Sequence, residues 1–305
     1  MNPAKTRGAE VRCYLCNGTG FSERKGTVRD DPSLRILECD GCGLVTLSSL
    51  SHIKPGHYED SGMHGEELRS IESWLRESDG DDQRRFEMLK PAMADRRVLD
   101  FGCGAGGFLF KARAVASLVT GVEAERRVRD HWQGQVPLYG RLDELNGKTY
   151  DLVTAFHVVE HLSDPRSMLR DLGKHLGESG RMVIEVPNSD DALLTLYQSE
   201  AFQRFTYWSQ HLFLFNAETL RRVAVEAGLR VVAVQQFQRY PLSNHLHWLS
   251  GGRSGGHRNW GFLDSDALHA AYSASLASVG KCDTLIAHLE RGVVDVPGKK
   301  EYSRR

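Results

Sequence analysis

The segment Val98-Leu-Asp-Phe-Gly-Cys-Gly-Ala-Gly-Gly107 constrains the fold more than any other stretch of the chain. A short apolar run, Val98–Phe101, reads as a strand, and an amphipathic stretch through Ala116 reads as a helix. Between them, Gly102, Gly104 and Gly107 satisfy G-x-G-x-x-G. In that setting the glycines permit a tight turn and let backbone approach a ligand with no Cβ in the way. A carboxylate, Asp100, stands two residues before the first glycine. It would repel the pyrophosphate that a dinucleotide lays over such a turn. A ligand with no phosphate and with positive charge would be favoured there. Glu123, about 20 residues on, ends the next strand, where a carboxylate takes both hydroxyls of a ribose.

From residue 97 onward, strands and helices alternate. Strands are expected over Leu118–Glu123, Val136–Tyr139, Tyr150–Phe156, Gly180–Val186, Leu229–Gln235 and Asp283–Leu289. Helices are expected over Arg126–Trp132, Pro165–Leu176, Ala217–Ala227 and Ser265–Ser278. This alternation predicts an α/β fold: a Rossmann-like, seven-stranded, mostly parallel sheet with helices on both faces and the ligand at the C-terminal edge. Residues 238–262 lose periodicity, gain Gly, His and Trp, and read as an insert on the substrate side. Residues 51–95 read as a helical linker or lid. Ser78–Asp82 breaks it as a turn, and Pro91 bends or ends its second helix.

Cys13-x-x-Cys16 and Cys39-x-x-Cys42, with 22 residues between the pairs, have the pattern of two knuckles closing a tetrahedral Cys₄ site. A small zinc ribbon over residues 1–50 is expected, with the ion structural because a closed thiolate shell leaves no open position. Gly18 and Gly43 follow the pairs and would free backbone N–H groups to face the sulfurs. Residues 1–12 are polar and contain no apolar signal core, and no apolar run is long enough to span a membrane, so the cytoplasm is expected. Lys plus Arg number 39 against 40 Asp plus Glu, which gives no bulk attraction for nucleic acid.

Asp100 to Gly106 matches the D/E-x-G-x-G-x-G motif, and the chain from about 97 to 289 resembles class I S-adenosylmethionine-dependent methyltransferases. The resemblance includes Tyr150–Leu162 on and after the fourth strand and Gly180–Pro187 as the fifth. It implies that Asp100, Phe101, Gly102, Cys103, Gly104 and Gly106 form the cofactor turn, with Cys103 a small residue packed under the ligand. It further implies that Glu123 binds ribose and Ala124 borders adenine. Phe156 and His157 would lie beside the methionine portion. After the third strand the family often places an acid near adenine. The aligned place here is Arg141, then Leu142, with Asp143 the nearest acid.

A Cys₄ ribbon, a Tyr-bearing helical linker and then this domain is a layout similar to bacterial sugar methyltransferases of nucleotide-sugar and surface-polysaccharide pathways. That likeness implies that Tyr58 lids the cofactor and that a sugar or nucleotide sugar is the small-molecule acceptor. Methyl transfer to a hydroxyl benefits from a base that titrates near neutrality. His157, His161, His211 and His245 are the candidates. Three alternatives stay open. The ribbon of an RNA methyltransferase would grip RNA, and a degenerate fold would serve as an interaction module. His157-Val-Val-Glu-His161 also spells H-x-x-E-H, a zinc-protease string that a second metal ion would support. The tail, 291–305, is expected to be loose.

Overall fold

A computed structural model describes residues 12–60 and 68–292. The larger of its two sheets is built from seven strands. In chain order these are β4 (Arg97–Phe101), β5 (Leu118–Val122), β6 (Leu138–Tyr139), β7 (Tyr150–Phe156), β8 (Leu176–Pro187), β10 (Leu229–Phe237) and β11 (Thr284–Arg291). The smaller sheet holds β1 (Phe21–Glu23), β2 (Ile36–Cys39), β3 (Val45–Leu47) and β9 (Phe213–Leu214).

In the seven-stranded sheet the order is β10-β11-β8-β7-β4-β5-β6. β4 lies between β5 and β7, parallel to both, so the chain reverses its direction of growth beside β4. In an open α/β sheet that reversal opens a crevice at the strand C-termini. Asp100 and Phe101 end β4 there. Only β11 runs against its neighbours, antiparallel to both β8 and β10. The central strands are buried on both faces, and Val98, Leu99, Val153, Ala155, Met182 and Ile184 are essentially inaccessible. Near-continuous apolar runs are what a parallel sheet covered on two sides requires. This is the Rossmann-like fold expected from the alternation of elements.

Four sequence expectations change in the structure. The linker does not break at Ser78–Asp82: α1 is one helix, Ile71–Met93, capped by Ser70. Its polar middle is held by short-range pairs. Ser78 donates to Asp82 at 2.7 Å, and Asp81 and Asp82 pair with Arg84 and Arg85 three residues on. Gly80 costs the helix about 1 kcal/mol relative to alanine. Burial of Ile71, Phe86, Leu89 and Met93 along one side offsets that loss. Pro91 stands in the last turn, two residues before the helix ends.

Residues 238–262 are not aperiodic: they form the helices Leu242–Gly251 and Gly256–Asn259. Their helical face was hidden because the apolar side is filled by aromatic and imidazole groups. Trp248 packs on Phe202 and Phe205. The fifth strand also begins earlier than expected, since Tyr150 already pairs with Leu176. The fourth change concerns the ribbon. β9, which follows the fifth strand of the main sheet, joins β3 as the fourth strand of the small sheet. Thr46 donates to Leu212 O at 3.0 Å, and Arg24 to Ser189 O at 2.7 Å. Leu15, Ile36 and Leu44 share one apolar core with Leu212, Phe213 and Phe215. The loose tail expected over 291–305 lies almost wholly outside the described residues, as does the linker stretch 61–67.

Candidate functional site

A cavity of about 1300 Å³ opens at the C-terminal ends of β4, β5 and β7. Single-ligand pockets run to about 300–1000 Å³, so this one has room for two ligands. Its first wall is the glycine turn. Gly102, Gly104 and Gly106 hold φ of 68°, 52° and 90°, a left-handed region that side chains disfavour. A Cβ on Gly102 would stand 2.4 Å from Val158, and one on Gly107 would stand 2.2 Å from the Asp82 carboxylate. Phe101, Cys103 and Ala105 line the cavity with Gly102 and Gly104, whereas Gly106 caps the following helix, α2 (Gly107–Ala112).

Asp100 faces this cavity from a buried position. The Thr154 hydroxyl donates to its Oδ1 at 2.7 Å. Burial pushes its carboxyl up to about 7, against the lowering effect of Thr154. The site therefore carries an acid that gains from a cation laid beside it. Glu123 is fixed by two backbone donors, Gly104 N at 2.8 Å and Glu125 N at 2.9 Å. Burial raises its pKa as well. Ala124, Leu142, Arg141 and Asp143 complete this wall. Arg141 and Asp143 are exposed and paired with each other at 3.0 Å. Trp74 of α1 also faces the glycine turn: a Cβ on Gly104 would meet its ring at 3.0 Å. An acid buried beside a glycine cradle, with a second acid lining the same cavity, fits the cationic S-adenosylmethionine and not a pyrophosphate.

The opposite wall is imidazole-rich. His157 follows β7 with φ of 54°, and its ring lies between Glu160 Oε1 at 3.2 Å and Glu185 Oε1 at 3.1 Å. Burial alone would lower its pKa, but those two carboxylates overcome burial and raise it. Glu185 is inaccessible and also accepts from Arg84 and Arg85, each at 2.8 Å. Burial would raise its pKa, but His157 first and then Arg85 hold it well below the usual carboxylate range.

His161 and His211 come together with ring centroids 5.0 Å apart. Burial lowers both, His211 to about 3 with help from its neighbour His161. Tyr58 donates to His161 O at 2.9 Å and lines the same wall, with Trp208 and Gln210. His245 is not part of this group. It sits buried on the helix Leu242–Gly251, where Nδ1 meets the Tyr272 hydroxyl at 2.7 Å and Nε2 meets Gln238 at 3.2 Å, and it does not line the cavity. Of the expected insert 238–262, Arg239 alone reaches the cavity, held there by ion pairing with Asp81. The ribbon reaches it too. Arg29 stands over the Trp208 ring at 4.4 Å, and Asp30 accepts from the Ser209 hydroxyl at 2.6 Å. No motif marks Arg29 or Arg239, because neither is near the site in sequence.

Away from the cavity, the four sulfurs of Cys13, Cys16, Cys39 and Cys42 lie within 4.8 Å of one another, and all four cysteines are free thiols. Cys13–Cys42 is 3.5 Å and Cys16–Cys39 is 3.4 Å. Four sulfurs about 2.3 Å from one ion stand about 3.8 Å apart, so the cluster is compatible with zinc. Gly18 N donates to Cys16 Sγ at 3.4 Å, the main reason that thiol is lowered to about 7. Gly43 does not act in this way: its N–H goes to Cys39 O at 2.8 Å to close the knuckle turn.

A family model described as a methyltransferase domain matches residues 74–234, more than half of the chain. The ubiquinone biosynthesis O-methyltransferase of Aeromonas salmonicida is 30% identical over 50% of this chain and 70% of its own length. The mitochondrial enzyme of that name from Schizosaccharomyces pombe is 30% identical over 39% of this chain and 48% of its own. A probable S-adenosylmethionine-dependent methyltransferase of Mycobacterium tuberculosis is 29% identical over 49% and 54%. The chain thus spans about half the length of two of these relatives. Among solved structures, a possible histamine N-methyltransferase from Thermotoga maritima aligns with TM-score 0.49 and 15% identity, covering 80% of this chain and all of that one. A SAM dependent methyltransferase from Archaeoglobus fulgidus aligns with TM-score 0.46 and 19% identity, over 73% and 95%. Among the described residues, no helix is long and apolar enough to cross a membrane. The strand order, the glycine turn with its buried acid, and the match over residues 74–234 place this chain in the class I S-adenosylmethionine-dependent methyltransferases.

Proposed function

We propose that the protein methylates a hydroxyl of a small polar acceptor, a sugar or nucleotide sugar, and that zinc in the four-cysteine cluster is structural. The observation that carries the acceptor reading is the composition of the imidazole wall. Trp208 and Tyr58 offer aromatic faces, and Asp30, Asp171, Gln210 and Arg239 offer donors and acceptors around them. A sugar ring presents an apolar face and a rim of hydroxyls, which such a wall matches. A quinone carrying a long isoprenoid chain would need an apolar trough instead. The relatives named for ubiquinone biosynthesis favour a second reading, a phenolic hydroxyl.

On either reading the donor would lie along the glycine turn, its positive end toward Asp100 and its ribose at Glu123. Leu142 and Ala124 would border the adenine. When bound, S-adenosylmethionine supplies an activated methyl, whose transfer forms a C–O bond as the C–S bond breaks and sulfur keeps the electron pair. The protein's task is alignment and removal of the acceptor proton. With no ion at its Nε2, His161 is the proton acceptor, because its Nδ1 is tied to Gln210 O at 2.8 Å and Nε2 therefore keeps a free lone pair. His211, at about 3, is too weak a base for the role. His157, raised and clamped between two carboxylates, holds Glu160 and the loop in place. Tyr58 closes the wall over His161.

The test is a methyl-transfer assay against a panel of nucleotide sugars and of catechol-like phenols, with S-adenosylhomocysteine release as readout. Turnover on the first set alone supports the sugar reading, and turnover on phenols alone replaces it with the second. No turnover on either, with the cofactor bound, would remove the hydroxyl reading.

A further inference from the structure

We propose that Glu160, His161 and His211 hold a divalent metal ion on the acceptor side of the cavity, in a site separate from the four-cysteine cluster. Three observations meet there. One ligand atom from each residue lies within 4.8 Å of the other two. Ligands about 2.0–2.2 Å from a shared ion stand about 3–4 Å apart, so small side-chain shifts close the site. Both imidazoles are already set in one tautomer. His161 Nδ1 is 2.8 Å from Gln210 O, and His211 Nδ1 is 3.2 Å from Thr206 O. A carbonyl oxygen only accepts, so each Nδ1 carries the proton and each Nε2 offers a lone pair. Metal-bound histidines are held in this manner by backbone carbonyls.

The third observation concerns Glu160, which is fully buried. Its Oε1 accepts from His157, and its Oε2 is buried with no hydrogen-bond partner among the described residues. Buried carboxylate oxygens are rarely left unpaired, and one that is calls for an explanation such as a bound ion.

His157, the first histidine of the H-x-x-E-H string, is not a ligand. Both of its ring nitrogens are engaged, by Glu160 and by Glu185, and Arg239 stands 3.3 Å from Nε2. Its part is to orient Glu160. The third ligand comes instead from His211, which the string does not contain. Two imidazoles and one carboxylate leave a position open, as catalytic zinc sites do, and this set suits zinc or cobalt better than magnesium or calcium. His161 and His211 line the cavity, so the open position faces the acceptor. What the ion does there rests on the hydroxyl reading above. It would bind the acceptor oxygen and acidify its O–H, the proton leaving to solvent water, and His161 would then serve as a ligand and not as the base.

The test uses the full chain with zinc in the cysteine cluster. It is equilibrated with Co²⁺, gel-filtered, and its metals are counted by mass spectrometry while the visible spectrum is recorded. The expected result is one zinc and one cobalt per chain, with weak ligand-field bands and no thiolate charge transfer. His211→Ala and Glu160→Gln should lose cobalt affinity at least tenfold while binding S-adenosylhomocysteine as the wild type does. Wild-type protein that retains no cobalt overturns the site, and this holds even if a variant fails to fold. Cobalt retained at full affinity in both variants overturns it too. Hydroxyl methylation undiminished in chelator-treated protein removes the ion's proposed role and leaves the hydroxyl reading standing. A bound second ion in a protein that methylates no hydroxyl does the reverse.

Discussion

The glycine-turn wall of the cavity and its imidazole wall are assembled in different ways. The first takes Asp100–Ala105 and Val122–Ala124, two strand ends with the turns that follow them. The second takes Arg29 from the ribbon, Tyr58 from the linker, His161 after β7, Trp208 and His211 before β9, and Arg239 after β10. A wall made of contiguous segments keeps its geometry as long as its strands pair. A wall made of five separate segments depends on every packing contact that brings them together. The first therefore suits a ligand common to a whole family, and the second can vary with the acceptor.

That difference can be broken experimentally. The largest effect should come from the ribbon, which supports only the second wall. If the cluster holds zinc as proposed, Cys39→Ser should lose it and lower the melting temperature by about 10 °C or more, since loss of a structural metal exceeds about 4–5 kcal/mol. Calorimetric unfolding with metal counting checks this. Binding of S-adenosylhomocysteine at temperatures where the variant stays folded should persist if the two walls are independent.

Next, His161→Ala should cut kcat by about 10²–10⁴, the range for loss of a group acting on the acceptor proton. Its affinity for S-adenosylmethionine, by calorimetry, should stay unchanged. An equal loss in both quantities would show that the walls are coupled.

Asp100→Ala should weaken S-adenosylmethionine by roughly tenfold, about 1.4 kcal/mol, and leave acceptor KM alone. Its titration gives a sign to the pH dependence. With the folded carboxyl at about 7, above its ordinary value of 3.8, the empty protein gains stability as pH falls from 7 toward 4, where the folded state binds the proton that the unfolded state has not yet taken up. A cationic ligand prefers the ionised form, so its binding should weaken below pH 7 and release protons near neutrality. Calorimetry in buffers of different ionisation enthalpy measures that release, and none in Asp100→Ala completes the check. The smallest effect should be Arg29→Ala, which removes a guanidinium stacked at 4.4 Å on Trp208. Acceptor KM should rise about two- to fivefold, in keeping with about 0.5–1 kcal/mol for a partly exposed stacked cation.

What the chain declares locally was legible. The glycine turn, the acids at Asp100 and Glu123 and the cysteine pairs are short strings whose chemistry follows from spacing. The strands of the sheet announce themselves because both faces are buried and the apolar runs are continuous. Local signals misled where tertiary contacts overruled them. Ser78–Asp82 has turn composition, yet the arginine pairs and the buried face of α1 keep it helical. His245 lies in an aromatic, polar stretch that reads like an acceptor site, yet the helix Leu242–Gly251 turns it toward Tyr272.

The sequence by itself determined the parallel sheet, the cofactor turn and the four-cysteine cluster, because each depends on residues close together along the chain or on a repeated apolar period. Only the tertiary structure decided that β9 completes the ribbon sheet, that Arg29 and Arg239 reach the cavity, and that His211 meets Glu160 and His161. Those are meetings of segments far apart in sequence, and no local preference specifies them. The ribbon and β9 are joined by the burial of Leu212, Phe213 and Phe215, and Arg239 is held by Asp81; both contacts give free energy only once the whole fold has formed.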